Sequence, residues 1–173
     1  MTSARRQRKS GLAPAAGKLS RVAAMPLVLF LALSGLPRVG AATTERVVSD
    51  VLSGLAISGV DPVSYFTHAA PLYGNSDHEM SYGGVTWRFR NTGDEAAFAA
   101  HPEVYMPRYG GYDPVALGRG VAVAGNPLVW AMVGQRVYLF YDENSRARFL
   151  DDPGDAIGTA DDKWPAVMST LLP

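Results

Sequence analysis

Alternating apolar and polar positions predict several short strands along the chain. Over residues 85–90 every second position is apolar, which is the period of a strand with one buried face. Residues 129–133 and 137–141 are also rich in apolar and aromatic side chains, and Gly134 stands between these two runs. A glycine between two such runs favours a tight turn, so the pattern predicts an antiparallel hairpin.

Polar capping residues and prolines divide the rest of the chain into further short segments. Asn and Asp residues precede the two runs that suit helices, and a proline follows each of these runs. The remaining predicted elements are a strand at 55–58, a turn at 59–62, a short segment at 63–66, a helix at 94–100, a loop at 106–114, and helices at 145–150 and 161–171. Short antiparallel strands with helices packed on them predict an α+β domain.

An internal repeat organises the same region. Shifted by 51 positions, Gly83, Trp87, Phe89, Ala96, Phe98 and Pro102 fall on Gly134, Tyr138, Phe140, Ala147, Phe149 and Pro153. Just upstream, the tripeptide Asp-Pro-Val at 61–63 recurs at 113–115, a shift of 52. The chain is therefore predicted to hold two strand–helix repeats within one domain.

The first 41 residues have the order of charge and hydropathy that a secretory signal peptide requires. Seven of the 16 basic residues lie before Ala42, and no acidic residue occurs before Glu45. An uncharged apolar run covers residues 22–36, and Val39-Gly40-Ala41 is a small-residue pattern suited to signal peptidase. We therefore expect a cleaved signal at 1–41, a linker at 42–54, a domain at 55–173, and a secreted or periplasmic location without membrane attachment after cleavage.

Three alternatives remain open for this N-terminal segment. The first is a retained membrane anchor, although 15 apolar residues interrupted by Pro26 are short for a span of about 20 residues. The second is a twin-arginine signal, since Arg5 and Arg6 are adjacent, but charged residues follow the pair. The third is a true start at Met25.

Composition and charge then restrict the functions available to the domain. With 173 residues, 47% hydrophobic and 18% charged, the chain is long and apolar enough to fold around a core. The absence of cysteine excludes disulfides, Cys-ligated zinc and a thiol nucleophile. From Ala42 onward, 9 basic and 16 acidic residues give 9 − 16 = −7, which argues against a nucleic-acid partner.

Four segments resemble the YHS family, in particular its longer exported form. The segments are GLAISGVDPVSYF, YGGVTWRF, FAAHPEVYMPRYGGYDP and ADDKWP, and the similarity covers nearly all of residues 55–171. The resemblance implies two YHS-like strand–helix repeats and a relation to small metal-binding modules of copper-handling proteins. Where those proteins have cysteines, this chain has Ser64, Arg90-Asn91 and Asp113, so thiolate ligation and thiol redox chemistry are excluded.

The loop over residues 105–113, YMPRYGGYD, is the first candidate site. Its glycines allow a tight turn or a close approach to a ligand, and its tyrosines and arginine suit an anion or a small organic molecule. The predicted ligand-binding residues are Tyr105, Arg108, Tyr109, Tyr112, Asp113 and Asp61. The alternative is a structural loop whose rings cover the core. The favoured function is thus a non-catalytic binding module for an unidentified small molecule; the sequence does not fix the oligomeric state.

Two other functions stay open. A copper or zinc ion could be held by His78, Glu79 and His68, or by methionine thioethers, because imidazole, carboxylate and thioether groups ligate these metals. An enzyme would use Asp61 with Asp113 as paired carboxylates, although no recognised catalytic motif is present.

The signal-peptide prediction is tested on the full chain produced in a bacterium that exports it. We expect intact-mass measurement and N-terminal sequencing to place the mature N-terminus at Ala42. Ala41→Tyr puts a bulky residue on the recognised side of the bond and should block cleavage, whereas the matched control Ala42→Tyr should be cleaved. An uncleaved wild-type chain in the membrane fraction would support the retained anchor instead.

Overall fold

The computed structural model describes residues 45–171. The predicted signal peptide, residues 1–41, therefore lies outside the described residues, and so do residues 42–44 of the predicted linker. Among the helices of the described part, none is long and apolar enough to cross a membrane.

The described chain is an α+β fold, as the sequence pattern predicts. Its elements in chain order are α1 (Ser64–Thr67), β1 (Asn75–Tyr82), β2 (Val85–Phe89), α2 (Thr92–Ala100), α3 (Pro102–Tyr105), α4 (Pro114–Leu117), β3 (Asn126–Val133), β4 (Arg136–Phe140), α5 (Glu143–Asp151) and α6 (Pro153–Met168). The strands are antiparallel, and they are divided between two two-stranded sheets, β1–β2 and β3–β4.

The two hairpins are copies of one another down to an irregularity of register. In the first hairpin the pairing shifts between Asn75 and Glu79, and in the second it shifts between Asn126 and Trp130. These positions are 51 residues apart, which is the spacing of the sequence repeat. The hairpin predicted around Gly134 is confirmed, and this glycine has the positive φ of 57° that a tight turn requires.

Each copy begins with three consecutive residues in the left-handed region. Over Ile57–Gly59 the φ angles are 41°, 55° and 77°, and over residues 109–111 they are 57°, 64° and 91°. Gly74 and Gly125 then donate their backbone N–H to the carbonyl of the last turn residue, at 3.0 and 2.9 Å. Because left-handed backbone is costly for side chains other than glycine, each turn must be held by the surrounding structure.

A buried aspartate holds the turn region of the first copy. Asp61 is fully buried, and its Oδ1 accepts the backbone N–H of Val63 at 2.8 Å. Its Oδ2 accepts the backbone N–H of Arg90 at 2.9 Å, immediately after the end of β2. One carboxylate thus joins the start of α1 to the end of the hairpin.

Asp113 makes the same connection in the second copy. It is 1% exposed, its Oδ1 accepts from Val115 at 2.8 Å and from Ala116 at 3.2 Å, and it caps α4. Its Oδ2 accepts the backbone N–H of Tyr141 at 2.9 Å, just beyond β4. The aspartate of the repeated Asp-Pro-Val thus has a structural role in both copies, and in the second copy it also caps α4, whose first residue is the proline.

The core also follows the repeat. In the first copy the ring of Phe98 on α2 lies 4.9 Å from that of Trp87 and 5.2 Å from that of Phe89. In the second copy Phe149 on α5 lies 4.9 Å from Tyr138 and 5.0 Å from Phe140. These aromatic contacts join each hairpin to its helix, and burial of each such ring contributes about 1.5–3 kcal/mol.

The structure differs from the prediction at three elements. The strand predicted at 55–58 is wrong because its last two residues enter the left-handed turn, which leaves only isolated bridges at Leu55 and Ala56. The segment β1 was not predicted, because it is mainly polar and exposed and shows no alternation. Helix α6 begins at Pro153 rather than at 161, since Asp152 caps it by accepting the N–H of Asp155 at 3.0 Å.

The buried carboxyl of Asp61 has a second acidic group, Asp94, beside it. Burial raises the pKa of Asp61 to about 6, with a contribution from a hydrogen bond to Asp94, and against the lowering effect of its two backbone donors. In the second copy Ser145 stands at the position equivalent to Asp94. The first copy thus carries a buried carboxyl that takes up a proton in mildly acidic solution.

We expect Asp61 to make the free energy of unfolding fall as the pH rises from about 4 to about 6. In this window the folded state holds a proton that the unfolded chain, with an ordinary pKa of about 3.9, has lost. The stability difference between wild type and Asp61→Asn should shrink over the same window, by at most about 3 kcal/mol. Denaturant titrations measure the difference, and carbon NMR of the wild-type Asp61 carboxyl measures its pKa; a carboxyl that titrates near pH 4 would contradict the prediction.

Candidate functional site

The predicted Tyr/Gly loop is the second copy of a structural turn. Residues 109–111 occupy the place that Ile57–Gly59 occupy in the first copy, with the same sequence of left-handed φ angles. A Cβ atom on Gly110 would overlap the carbonyl oxygen of Arg46, so this glycine allows the backbone at Arg46 to pack against the turn.

Two of the loop tyrosines are buried and hydrogen-bonded. Tyr112 is fully buried, and its hydroxyl donates to the carbonyl of Glu45 at 2.6 Å. Tyr109 is 4% exposed, and its hydroxyl donates to Oδ1 of Asp161 on α6 at 2.9 Å. Burial, with the hydrogen bond to Asp161, raises the pKa of Tyr109, so the hydroxyl keeps its proton. These tyrosines connect the turn to Glu45 and to α6.

Arg108 belongs to the same network. Its guanidinium donates to Asp161 at 2.8 Å, and its central carbon lies 5.3 Å from the centre of the Tyr109 ring. Although burial opposes the change, the hydrogen bonds from Arg108 and Tyr109 hold the pKa of Asp161 below its ordinary value. The arginine is thus already paired, which leaves it poorly placed to receive a free anion.

The remaining predicted residues of this set also make structural contacts. Tyr105 packs edge-to-face on Phe66 with ring centres 5.1 Å apart. Both oxygens of Asp61 and of Asp113 accept backbone N–H groups. The structure distributes the six predicted residues over both copies, and Asp113 is the member that lines the cleft described below.

Each of the predicted metal ligands interacts with different partners and not with the other two. His78 faces Glu95 at 3.5 Å, whereas Glu79 pairs with Arg88 at 2.6 Å. The ring of His68 contacts the Thr67 hydroxyl at 2.8 Å and the Arg90 guanidinium at 3.3 Å. Within residues 45–171 no group of three or more His, Asp or Glu residues is arranged to hold a metal ion. The metal hypothesis stays a prediction to which the geometry adds no support.

A cleft of about 550 Å³ opens in the second copy, beside the buried carboxylate. It lies between α4, the residues that follow β4 and the first turns of α5. Its polar and charged rim carries the side chains Arg119, Tyr141, Asn144, Ser145 and Arg148. A cavity of this size is in the range that small-molecule sites occupy.

The two arginines on this rim are the distinctive feature of the cleft. Arg119 and Arg148 are both exposed, and the guanidinium group of neither forms an ion pair or hydrogen bond with another described residue. In the first copy the equivalent positions hold Thr67 and Ala97, at shifts of 52 and 51. At these two positions the second copy therefore carries cations where the first copy has uncharged side chains.

Two further exchanges at the rim leave its number of carboxylates unchanged. Ser145 replaces the first copy's Asp94, and Asp142 replaces the first copy's Asn91. The carboxylates of Asp113 and Asp142 remain near the cleft, but Asp113 is engaged by three backbone donors and Asp142 caps α5 through the N–H of Ser145 at 2.8 Å. The exposed part of the rim is thus richer in cations than its counterpart.

Sequence reasoning missed the rim residues, although a signal for them exists. Arg119 and Arg148 are 29 positions apart and belong to no motif. The repeat itself supplies the signal, since alignment of the two copies places arginine opposite Thr67 and Ala97. Residues that differ in charge between two copies of one scaffold are candidates for a function that only one copy has.

Comparisons of the chain with protein-family models, with curated proteins and with solved structures find no match. The YHS resemblance therefore stays a prediction carried by the residues quoted for it. Function is inferred below from the chemistry and geometry of this chain alone.

If the loop tyrosines are structural, removal of one hydroxyl should affect stability. Tyr109→Phe loses the hydrogen bond to Asp161, so we expect the free energy of unfolding to fall by about 1 kcal/mol. Tyr105→Phe is the matched control, because the Tyr105 hydroxyl has no hydrogen bond to any residue of 45–171, and it should leave stability unchanged. Urea titrations measure both. Equal stabilities for Tyr109→Phe and wild type would contradict the structural assignment.

Proposed function

We propose that the protein is a non-catalytic binding module that takes a small molecule with an anionic group, such as a carboxylate or phosphate, into the cleft of its second copy. The observation that carries the proposal is the convergence of Arg119 and Arg148 on one cleft without an internal partner. Planar guanidinium groups donate paired hydrogen bonds that match carboxylate and phosphate oxygens.

The other side chains of the rim are compatible with such a ligand. Asn144 and Ser145 offer neutral hydrogen-bonding groups, and the ring of Tyr141, 63% exposed, offers an apolar face. From Ala42 onward, acidic residues outnumber basic residues by seven. This net charge repels an anion in the cleft only weakly, because physiological salt screens charges beyond about 8 Å. The nearby arginines therefore decide which charge the cleft accepts.

Binding is better supported than catalysis. Asp113 is a carboxylate that lines the cleft, yet both of its oxygens accept hydrogen bonds from backbone N–H groups. Asp61, which has a raised pKa, lies in the turn of the other copy with its own two donors. The paired-carboxylate enzyme thus remains a prediction without a supporting geometry.

The proposal retains two expectations from the sequence. Export to the periplasm or the exterior follows from the signal-like pattern of residues 1–41, and membership of the YHS family follows from the resemblance of residues 55–171. A small anionic solute of that compartment is therefore the expected class of ligand.

We expect succinate and inorganic phosphate to bind the cleft with affinities that depend on both arginines. Arg119→Thr and Arg148→Ala, each of which restores the first-copy residue, should weaken binding about tenfold, since a hydrogen bond to a charged group contributes about 1.5 kcal/mol or more. Amide chemical shifts in NMR titrations measure the dissociation constants and place the site.

Arg90→Ala is the matched control for these titrations. Arg90 is exposed like the cleft arginines but lies in the first copy, so its removal should leave anion binding unchanged. The proposal fails if neither anion shifts amides of α4 and α5 at concentrations up to about 50 mM, a range that detects interactions weaker than 4 kcal/mol. It also fails if Arg90→Ala weakens binding as much as the cleft variants do.

A further inference from the structure

A second hollow of about 310 Å³ adjoins the cleft. It shares Val115, Arg119 and Arg148 with the cleft and continues along the start of α6. Its lining also includes the carboxylates of Asp151, Asp152 and Asp155, of which Asp152 caps α6 through its Oδ1. One continuous surface therefore presents two guanidinium groups together with the carboxylates of Asp151 and Asp155.

No ion pair joins these opposite charges within the described residues. Asp151 and Asp155 are exposed, and neither forms an ion pair with a described residue, the two cleft arginines included. Charges that are within one hollow but unpaired are available to a ligand. A purely anionic ligand would use the arginines and be repelled by the carboxylates.

We infer that the ligand of the cleft is a zwitterion, whose anionic group lies against Arg119 and Arg148 and whose ammonium group lies against Asp151 and Asp155. This inference rests on the proposed function, because it assigns the second half of the same site. A small amino acid or a related amino-carboxylate has the required pair of charges. Such a molecule pairs with both the guanidinium groups and the carboxylates. A simple carboxylate or a simple amine is attracted by one of these sets and repelled by the other.

The repeat provides an independent argument. The first-copy positions equivalent to Asp151 and Asp155 are Ala100 and Val104, at the shift of 51. Together with Thr67 and Ala97, they leave the first copy without a charged side chain at any of these four positions. The two guanidinium groups and two carboxylates that line the adjoining hollows are therefore peculiar to the second copy.

The test compares matched probes that differ only in the ammonium group. Glycine, 3-aminopropanoate, 4-aminobutanoate and 5-aminopentanoate cover a range of charge separations, and acetate, propanoate, butanoate and pentanoate are their counterparts without nitrogen. We expect at least one amino-carboxylate to bind about tenfold more tightly than its counterpart in NMR titrations of the full exported chain. The probes are small enough to enter either hollow.

Substitutions then assign the two ends of the probe. Asp151→Ala and Asp155→Val restore the first-copy residues at exposed positions, so they should leave the fold intact and abolish the advantage of the amino-carboxylate, while the plain carboxylate keeps or improves its affinity. Asp162→Ala, at an exposed position of α6 outside the hollow, is the control and should keep the advantage.

The possible failures are distinguishable. Equal affinity of every probe pair, with binding still dependent on Arg119 and Arg148, would overturn the zwitterion and leave the anion site standing. An advantage that survives Asp151→Ala combined with Asp155→Val would also overturn it. Absence of binding by all carboxylates, amino-carboxylates and phosphate would overturn the proposed function itself.

Discussion

The fold depends on a buried carboxylate that joins a left-handed turn to the end of a hairpin. Asp61 and Asp113 each lie where the chain has passed through three left-handed residues and must continue into a short helix. A buried carboxylate is costly unless its oxygens receive donors, and here the donors come from the following turn and from the residue after the second strand. The same interaction therefore fixes the turn and the end of the second strand. The next residue, Asn91 in the first copy and Asp142 in the second, caps the helix that follows.

The sequence predicts the parts of the fold that use strong local rules. Alternation and the glycine at 134 predict the second hairpin, and capping residues before aromatic helices predict α2 and α5. The repeat predicts the architecture as a whole, since both shifts observed in the sequence reappear in register and turn geometry. Strand β1 escapes prediction because most of its side chains are polar and exposed, and its pairing with β2 supplies much of what holds it in place. The false strand at 55–58 has β-type residues whose backbone is set by tertiary contacts that no local pattern reveals.

The site is predicted less well, for a related physical reason. A loop rich in tyrosine and glycine suggests a pocket, but large rings also cover cores, and in this turn Tyr109 and Tyr112 spend their hydroxyls on Asp161 and Glu45. The cleft is formed by side chains from α4 and α5, which are brought together only by the folding of the second copy. Arg119 and Arg148 carry no motif, so their meeting cannot be read from spacing; it becomes visible when the copies are compared position by position.

The division between scaffold and rim explains why recognition would lie where the copies differ. Replacement of Asp61, of Asp113 or of a ring in the aromatic core leaves a buried donor or a cavity. Either defect costs several kcal/mol in a fold whose total stability is about 5–15 kcal/mol. Substitutions at exposed positions carry no such cost, so arginine in place of threonine at 119, or aspartate in place of alanine at 151, alters the charge of the surface and leaves the backbone unchanged. A duplicated scaffold can therefore keep one copy for stability and give the other new charges at its rim, and the unpaired charges that follow α4 and lie on α5 and α6 are what such a division produces.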